Sequence, residues 1–303
     1  MNNKCHTVVE HWQIITQQDW KFSRNFKDAC KEDIQEHCVN PKPKKKADVV
    51  SCLVMLISND TVLEQKHRVK KSCRAEVKFE LLTAHSNLKW DPRLQEACSE
   101  EVTQHCDPED LEEDGGLECL KKLKHKDISS KRCRKLLFEE EEQEAEDTDV
   151  DFTLMRACKR EIQQHCPDET SDNMLHCLKD FSQVDTNFAQ GCDAIIRRRT
   201  IQRMKDYRLN PALRKSCKQD IPKFCGTLLA GKNRVGDDFF EGHVIECLKE
   251  RVIQKEARLS DSCHQQVLSL MQEAAPIVEA DPILEVKCSC LPRFVCPYVH
   301  MSD

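Results

Sequence analysis

The sequence predicts an all-α fold, in which tandem small helical repeats are stapled by disulfide bonds into an elongated array. Three observations support this prediction: 20 Cys in 303 residues, a recurring pair of cysteines with seven residues between them, and helix-start residues before each pair. A chain of this length accommodates two ordinary domains or a series of small ones. Only 5% of its residues are aromatic and only 7 are Gly, which argues against a sheet-rich fold.

The cysteines follow one internal repeat with a period of about 60–70 residues. The pairs are Cys30/Cys38, Cys98/Cys106, Cys158/Cys166, Cys217/Cys225 and Cys288/Cys296. A third cysteine follows the first four pairs, at Cys52, Cys119, Cys177 and Cys247, and a fourth at Cys73, Cys133, Cys192 and Cys263. Each fourth cysteine lies 25 positions before the next first cysteine, and so does Cys5 before Cys30. We therefore interpret Cys5 as the last cysteine of a preceding repeat.

This pattern predicts the domain organisation of the chain, which we expect to be a fragment of a longer protein. The final segment contains Pro292, which disfavours a helix interior, and Cys290, which has no counterpart elsewhere. We expect local disorder there. The predicted parts are the tail of an upstream repeat (1–22), four cysteine-rich repeats (23–90, 91–150, 151–209 and 210–280) and a truncated repeat (281–303).

Helix signals surround each first cysteine. Apolar residues recur four positions before and after it, as Leu94 and Val102 do around Cys98, and so lie on one helical face. We predict a helix of about four turns up to the second cysteine, another helix after each fourth cysteine and a short one carrying the third. The residues seven positions before each first cysteine all suit an N-cap: Ser23, Asp91, Asp151, Asn210 and Asp281.

Disulfides are the predicted role of the 19 cysteines in this pattern. Two cysteines eight positions apart on a helix are about 12 Å apart, whereas a disulfide needs Cα atoms within about 7 Å. The two cysteines of one pair therefore bond different neighbours. The sequence leaves two connectivities open: fourth to following second, as in Cys73 to Cys106, or first to fourth and second to third within each repeat.

Metal binding and catalysis are not predicted. Zinc ligands usually come closer in sequence than these pairs, and Phe224 replaces the His that precedes the second cysteine at His37, His105 and His165. A reduced metal-binding protein is the less favoured alternative. The cysteines repeat as a scaffold and no catalytic motif is present, so we assign no catalytic, cofactor or metal residue and predict that the chain is not an enzyme. Acidic residues recur three positions after the first cysteine, and we interpret them as a solvated helix face or local salt bridges: Asp33, Glu101, Glu161 and Asp220.

Charge runs and a glycosylation motif are the candidate partner surfaces in the sequence. The net charge of −6 excludes a basic nucleic-acid binder. We interpret the acidic run 139–151 as a solvated helix extension or linker, with a landing patch for a basic protein as the alternative. The basic runs 42–46 and 197–199 are also interpreted as solvated surface, with sulfated glycans or acidic partners as the alternative. Asn59 begins the sequon Asn-Asp-Thr and is a glycosylation candidate in a predicted loop.

The unit "LQEACSEEVTQHC…LECLKKL…SKRCRKLL" resembles the repeat of the cysteine-rich fibroblast growth factor receptor family. That resemblance implies the luminal part of a type I Golgi membrane glycoprotein that also reaches the cell surface, whose membrane helix is absent from this chain. It implies binding of fibroblast growth factors, of E-selectin through glycans, and a link to latent transforming growth factor β. We therefore predict a non-enzymatic luminal binding region, with a purely structural spacer as the alternative.

Overall fold

A computed structural model describes residues 8, 11–12, 14–17, 19–39, 43, 45–62, 65–123, 127–230, 238–254 and 258–275 of the chain. All regular secondary structure in these residues is helical, which confirms the all-α prediction. None of the helices in this described part is both long and apolar enough to cross a membrane. The predictions for Cys5, Cys288, Cys290, Cys296 and the truncated repeat 281–303 lie outside the described residues.

The helices follow the cysteine pattern. Single-turn 3-10 helices at Trp20–Phe22, Leu88–Trp90, Thr148–Val150 and Tyr207–Leu209 precede the first helix of each repeat. The α-helices are α1 (Arg24–His37), α2 (Lys46–Val62), α3 (Lys71–Ala84), α4 (Pro92–His105), α5 (Pro108–Asp114), α6 (Leu117–Lys122), α7 (Lys131–Glu146), α8 (Phe152–Ala157), α9 (Lys159–His165), α10 (Ser171–Ser182), α11 (Gln190–Lys205), α12 (Pro211–Ser216), α13 (Asp220–Phe224), α14 (Gly226–Ala230), α15 (Asp238–Gln254) and α16 (Asp261–Ala274).

The predicted first helix is continuous in two repeats and interrupted in two. It forms α1 and α4 as single helices of 14 residues each. In the third and fourth repeats it divides at the first cysteine, where Cys158 and Cys217 have ψ angles of 11° and 12°. Pro222 lacks the N–H that a continuous helix would need in the fourth repeat; nothing in the third repeat's sequence explains its break. The helices that carry the third cysteine reach 17 residues in α2 and α15, longer than predicted.

Two caps shape the turn between consecutive repeats. The Asp91 side chain accepts hydrogen bonds from the N–H groups of Arg93 and Leu94, as its predicted capping role requires. Four positions earlier, Asn87 accepts from the N–H of Lys89 and caps the 3-10 helix. Asp19 and Asp206 cap the equivalent helices, so a second short polar residue four positions before the cap marks this turn.

The described chain forms two compact units, each with its own small apolar cores. One comprises residues 1–123 and 149–152, and the other comprises residues 124–148 and 153–303. In the first unit, Phe26, Leu53 and Val77 pack around Cys30 and Cys73. The second unit has one core around Cys158 and Cys192 and another around Cys217 and Cys263. Because each core is small, the disulfide inside it supplies stability that apolar burial alone would not.

Candidate functional site: disulfide braces, buried charges and the sequon

Seven disulfide bridges among the described residues each join two cysteines of one repeat. First-to-fourth bridges, Cys30–Cys73, Cys158–Cys192 and Cys217–Cys263, have Cα–Cα distances of 4.7, 4.8 and 4.6 Å. Second-to-third bridges are Cys38–Cys52, Cys106–Cys119, Cys166–Cys177 and Cys225–Cys247. The sulfurs of Cys98 and of Cys133 are each held in a disulfide as well. The alternative Cys73–Cys106 pairing does not form, because each of these sulfurs bonds a cysteine of its own repeat.

The histidines beside the second cysteines take part in packing and polar contacts. His165 stacks on Phe181 with ring centroids 4.6 Å apart, and its Nε2 lies 3.2 Å from an Asp185 carboxylate oxygen. Phe224 packs against the apolar core at the equivalent position of the fourth repeat. Both His and Phe therefore fill this position with an aromatic ring that packs against its neighbours, and the packing does not depend on the ring nitrogens of His. The sulfurs of the described cysteines are held in disulfides and present no thiolate to a metal in this state.

The acidic residues three positions after each first cysteine are buried, so their interpretation as a solvated face was wrong. Their exposed fractions are 3% for Asp33, 1% for Glu101, 1% for Glu161 and 5% for Asp220. Glu161 pairs with the adjacent Arg160 guanidinium at 2.7 Å, which is a local salt bridge, the alternative interpretation. Asp220 accepts hydrogen bonds from the backbone N–H and the hydroxyl of Ser260, at 3.1 and 2.6 Å. Ser260 is the N-cap residue of α16, so Asp220 fastens the start of the helix that carries Cys263.

Replacing Asp220 with Ala should lower the free energy of unfolding by about 1–2 kcal/mol, because the hydrogen bonds that its carboxylate accepts from Ser260 are lost. The Ser260 N–H and hydroxyl would lose their carboxylate acceptor in a partly buried site. Urea unfolding followed by circular dichroism measures the change. Asp261→Ala is the matched control because Asp261 is exposed in the first turn of the same helix. Equal losses in the two variants would contradict this role for Asp220.

The acidic run 139–151 is neither a solvated extension nor an open landing patch. Most of it lies on α7, where Glu140, Glu141 and Glu144 are buried. The Glu144 carboxylate lies 3.2 Å from the Arg199 guanidinium, with the two side chains only 4% and 8% exposed. Arg199 ends the basic run 197–199 on α11, so the interpretation of that run as solvated surface was wrong for Arg199.

Further contacts extend this charged layer between α7, α11 and α12. The Gln202 amide donates a hydrogen bond to Glu141 at 2.9 Å, and the Arg203 guanidinium donates to the Ala145 carbonyl at 3.2 Å. Arg214 of α12 pairs with Glu142 and Glu146. We call these contacts, together with the Glu144–Arg199 pair, the carboxylate–arginine layer.

The carboxylate–arginine layer is partly withdrawn from water. Burial raises the pKa of Glu142, and the positive charges of Arg214 and Arg208 oppose that shift. Burial also lowers the pKa of Arg214, opposed by the charge of Glu142. In both groups, burial shifts the pKa toward the uncharged form, so keeping the charge has a desolvation cost. This is typical of ion pairs between packed helices and not of a solvated surface patch.

The basic run 42–46 also ends in a buried group. Lys46 is 2% exposed, and its ammonium lies 2.6 Å from a carboxylate oxygen of Glu80 on α3. It also donates a hydrogen bond to the Ser23 hydroxyl at 2.7 Å. Burial lowers the pKa of Lys46, and the Glu80 carboxylate opposes this. Lys45 is exposed, whereas Lys42 and Lys44 lie outside the described residues.

The segment between the second and third cysteines of the second repeat presents an exposed acidic surface that sequence reasoning missed. Asp107, Glu109 and Glu112 are exposed, and Leu111 among them is 42% exposed. These residues belong to α5 and its cap, where Asp107 and Asp110 form a capping box. The sequence signal for this surface is the stretch 107–114, which contains six acidic residues and no Lys, Arg or His. We call Asp107, Glu109, Asp110, Leu111 and Glu112 the acidic α5 surface.

Asn59 is exposed, as a glycosylation site must be, but it lies in the last turn of α2 and not in the predicted loop. Asp60 beside it is only 1% exposed. Thr61, the third residue of the sequon, donates a hydrogen bond from its hydroxyl to the Ile57 carbonyl at 2.9 Å. The sequon therefore lies within regular helix in the folded chain.

Comparison with known proteins identifies the same repeat. The family model Cys_rich_FGFR, described as a cysteine rich repeat, matches residues 3–61, 71–127, 131–184 and 190–256. The chain is 41% identical over 291 residues to Golgi apparatus protein 1 of Gallus gallus and of Homo sapiens, covering 95% of this chain and 25% and 24% of those proteins. It is 27% identical over 304 residues to Golgi apparatus protein 1 homolog of Caenorhabditis elegans, covering 95% of this chain and 26% of that protein.

The chain thus spans about a quarter of the length of these curated relatives. No solved structure matches it. The matched family is one of cysteine-rich repeat proteins and not an enzyme family, and its relatives are named for the Golgi apparatus. With the repeat spacing, the within-repeat bridges and the family match over most of its length, the chain belongs to the cysteine-rich repeat family Cys_rich_FGFR.

Proposed function

We propose that this chain is a non-enzymatic luminal region that binds secreted proteins of the fibroblast growth factor class. The family name supports this partner class, and the within-repeat disulfides support a role as a rigid presenting scaffold. Binding residues are often carried by variable connections on such a scaffold. The segment between the second and third cysteines varies most in length between repeats. It also varies in charge, since it contains the basic run 42–46 in the first repeat and the acidic α5 surface in the second.

The acidic α5 surface is the contact site that the described residues favour. Three of its carboxylates, those of Asp107, Glu109 and Glu112, are exposed to a basic ligand, and Leu111 adds apolar area among them. The carboxylates of α7, by contrast, lie in the carboxylate–arginine layer. A basic growth factor would therefore be attracted to α5, and the attraction would weaken as salt is raised.

Saturable binding of a basic fibroblast growth factor to the oxidised chain at physiological salt tests this function. Neutralising the acidic α5 surface with Asp107→Asn, Glu109→Gln and Glu112→Gln should weaken the affinity about tenfold, corresponding to about 1.4 kcal/mol. Asn remains a good N-cap residue at position 107, so the helix start is preserved. Surface plasmon resonance at two salt concentrations measures both the affinity and its salt dependence.

The third repeat offers a control with the same change in charge. Asp168→Asn, Glu169→Gln and Asp172→Asn remove three exposed carboxylates from its own segment between the second and third cysteines. This variant should bind as the unsubstituted chain does. Equal weakening in both triple variants would refute α5 as the contact site. A lack of saturable binding by the unsubstituted chain would refute the proposed function and favour a structural spacer.

A further inference from the structure

The folded sequon holds its two essential side chains apart. Glycosyl transfer to Asn59 requires the Asn amide and the Thr61 hydroxyl to be recognised together, because the sequon is defined by both. In an α-helix, residues two positions apart point about 200° away from one another around the axis. Both residues lie in α2, so the folded conformation does not bring them to one enzyme site.

The last turn of α2 is also fastened in place. Asp60, between the two sequon residues, accepts hydrogen bonds from the Arg68 backbone N–H and Nε, both at 2.8 Å. The Gln65 N–H donates to the Asp60 carbonyl at 2.9 Å, and the Thr61 hydroxyl is held by Ile57. Hydrogen bonds to Arg68 lower the pKa of Asp60, so this contact carries an ion pair at neutral pH. We call the Asp60–Arg68 contacts the helix-end lock.

We propose that Asn59 is an acceptor only before the helix-end lock forms, so that glycan attachment precedes folding of the first repeat. The folded, oxidised chain is then a poor substrate for the transferase although Asn59 is exposed. Exposure of the acceptor is insufficient because the sequon must leave the helix to place Asn59 and Thr61 side by side.

The chemistry requires one co-reactant, a lipid-linked diphospho-oligosaccharide. The Asn59 amide nitrogen forms a bond to the anomeric carbon of the first sugar. The bond from that carbon to the diphosphate oxygen breaks, and the lipid diphosphate leaves with the electron pair. The amide nitrogen loses one proton, which the released diphosphate takes up. No oxidant or reductant takes part.

The order of the chain supplies a time window for this reaction. Arg68 follows Asn59 by nine residues, and Cys73, which closes the bridge to Cys30, follows it by fourteen. During synthesis, Asn59 therefore enters the lumen before either partner that fixes the end of α2. The acceptor is open until Arg68 arrives and the lock closes.

A reconstituted transfer reaction tests this order. The chain is produced without glycan and either refolded with its disulfides or reduced and alkylated, and each form is incubated with oligosaccharyltransferase and the lipid-linked donor. Mass spectrometry of the peptide containing Asn59 measures the rate of modification. We expect transfer to the folded chain to be at least about tenfold slower than to the unfolded chain, since a local opening step must precede it.

Variants of the loop after α2 identify the lock itself. Arg68→Ala removes the guanidinium contacts to Asp60 and should increase transfer to the folded chain severalfold. Lys66→Ala, an exposed change in the same loop, is the control and should leave the rate unchanged. Mapping of Cys30–Cys73 and Cys38–Cys52 checks that each variant is folded, and the wild-type comparison decides the proposal even where Arg68→Ala does not fold.

Each remaining outcome overturns a defined part of the proposal. Equal rates for folded and unfolded wild-type chain would overturn the proposed order. Lack of transfer to the unfolded chain would show that Asn59 is not an acceptor. If glycan transfer is slow for the folded wild-type chain and equally slow for a correctly bridged Arg68→Ala variant, the helix-end lock has no role in limiting transfer.

Discussion

Replacing Arg199 with Ala should lower the free energy of unfolding by about 3–5 kcal/mol, because it removes the guanidinium that pairs with the buried Glu144 carboxylate. The Glu144 side chain is 4% exposed and pairs with Arg199 at 3.2 Å. Hydrogen exchange of the backbone amides in α7 and α11, together with urea unfolding, measures the loss.

Two further variants separate a buried ion pair from simple loss of side-chain volume. The double variant Arg199→Met with Glu144→Leu removes both charges and should recover at least about 2 kcal/mol of the loss. Arg197→Ala, in the exposed first position of the same basic run, should cost no more than about 1 kcal/mol. If Arg199→Ala is no more destabilising than Arg197→Ala, the carboxylate–arginine layer does not stabilise the fold.

Removing the bridge between Cys217 and Cys263 with two Ala substitutions should cost about 4 kcal/mol. The chain-entropy description relates the effect to loop length, and this bridge closes a sequence separation of 46 residues. The same description gives about 3 kcal/mol for Cys166–Cys177, with a separation of 11 residues. The Cys217–Cys263 variant should therefore show the larger loss of protection in hydrogen exchange.

The two bridges also differ in their surroundings, which provides an independent check. Cys217 and Cys263 are fully buried in the core with Leu213, Val244 and Leu248. Cys177 is only partly buried and packs at the edge of its cluster. Replacing the core cysteines also leaves a small void, which adds to the loss of stability predicted for the Cys217–Cys263 variant. A larger loss from the Cys166–Cys177 variant would contradict both the loop-length and the packing arguments.

Much of the helical frame could be predicted because its determinants are local in sequence. Asp91 and Pro92 start α4, and Leu94 and Cys98 lie on its buried face, all within a stretch of eight residues. Capping and helical periodicity need no knowledge of distant partners. The interruption at Cys158 has no such local signal, and the sequence predicted one continuous helix there.

Disulfide connectivity could not be predicted because helix lengths and spacings permit more than one partner. Cys73 was compatible with Cys106 in the following repeat or with Cys30 in its own. The choice depends on how the helices pack in three dimensions, and the structure places the Cα atoms of Cys30 and Cys73 4.7 Å apart. Spacing restricts the candidates, but packing selects among them.

The charge runs were misinterpreted because each was considered without the other. Glu140 follows Cys133 by seven positions, and Arg199 follows Cys192 by seven; Glu144 and Arg203 each follow by eleven. Carboxylates and guanidiniums therefore occupy equivalent positions on the corresponding helices of consecutive repeats. Aligning the repeats and comparing charge position by position would have marked these two runs as oppositely charged and as candidates for pairing.

The carboxylate–arginine layer also restricts how this gene region can be rearranged. Its acidic side lies on α7 and its basic side lies on α11 and α12, so each side carries the charge opposite to that of its present neighbour. Duplicating or exchanging one unit by recombination would bring like charges together, or leave a buried ion without its partner. The cysteine spacing makes the units appear interchangeable, but their order along the chain is constrained by electrostatic complementarity.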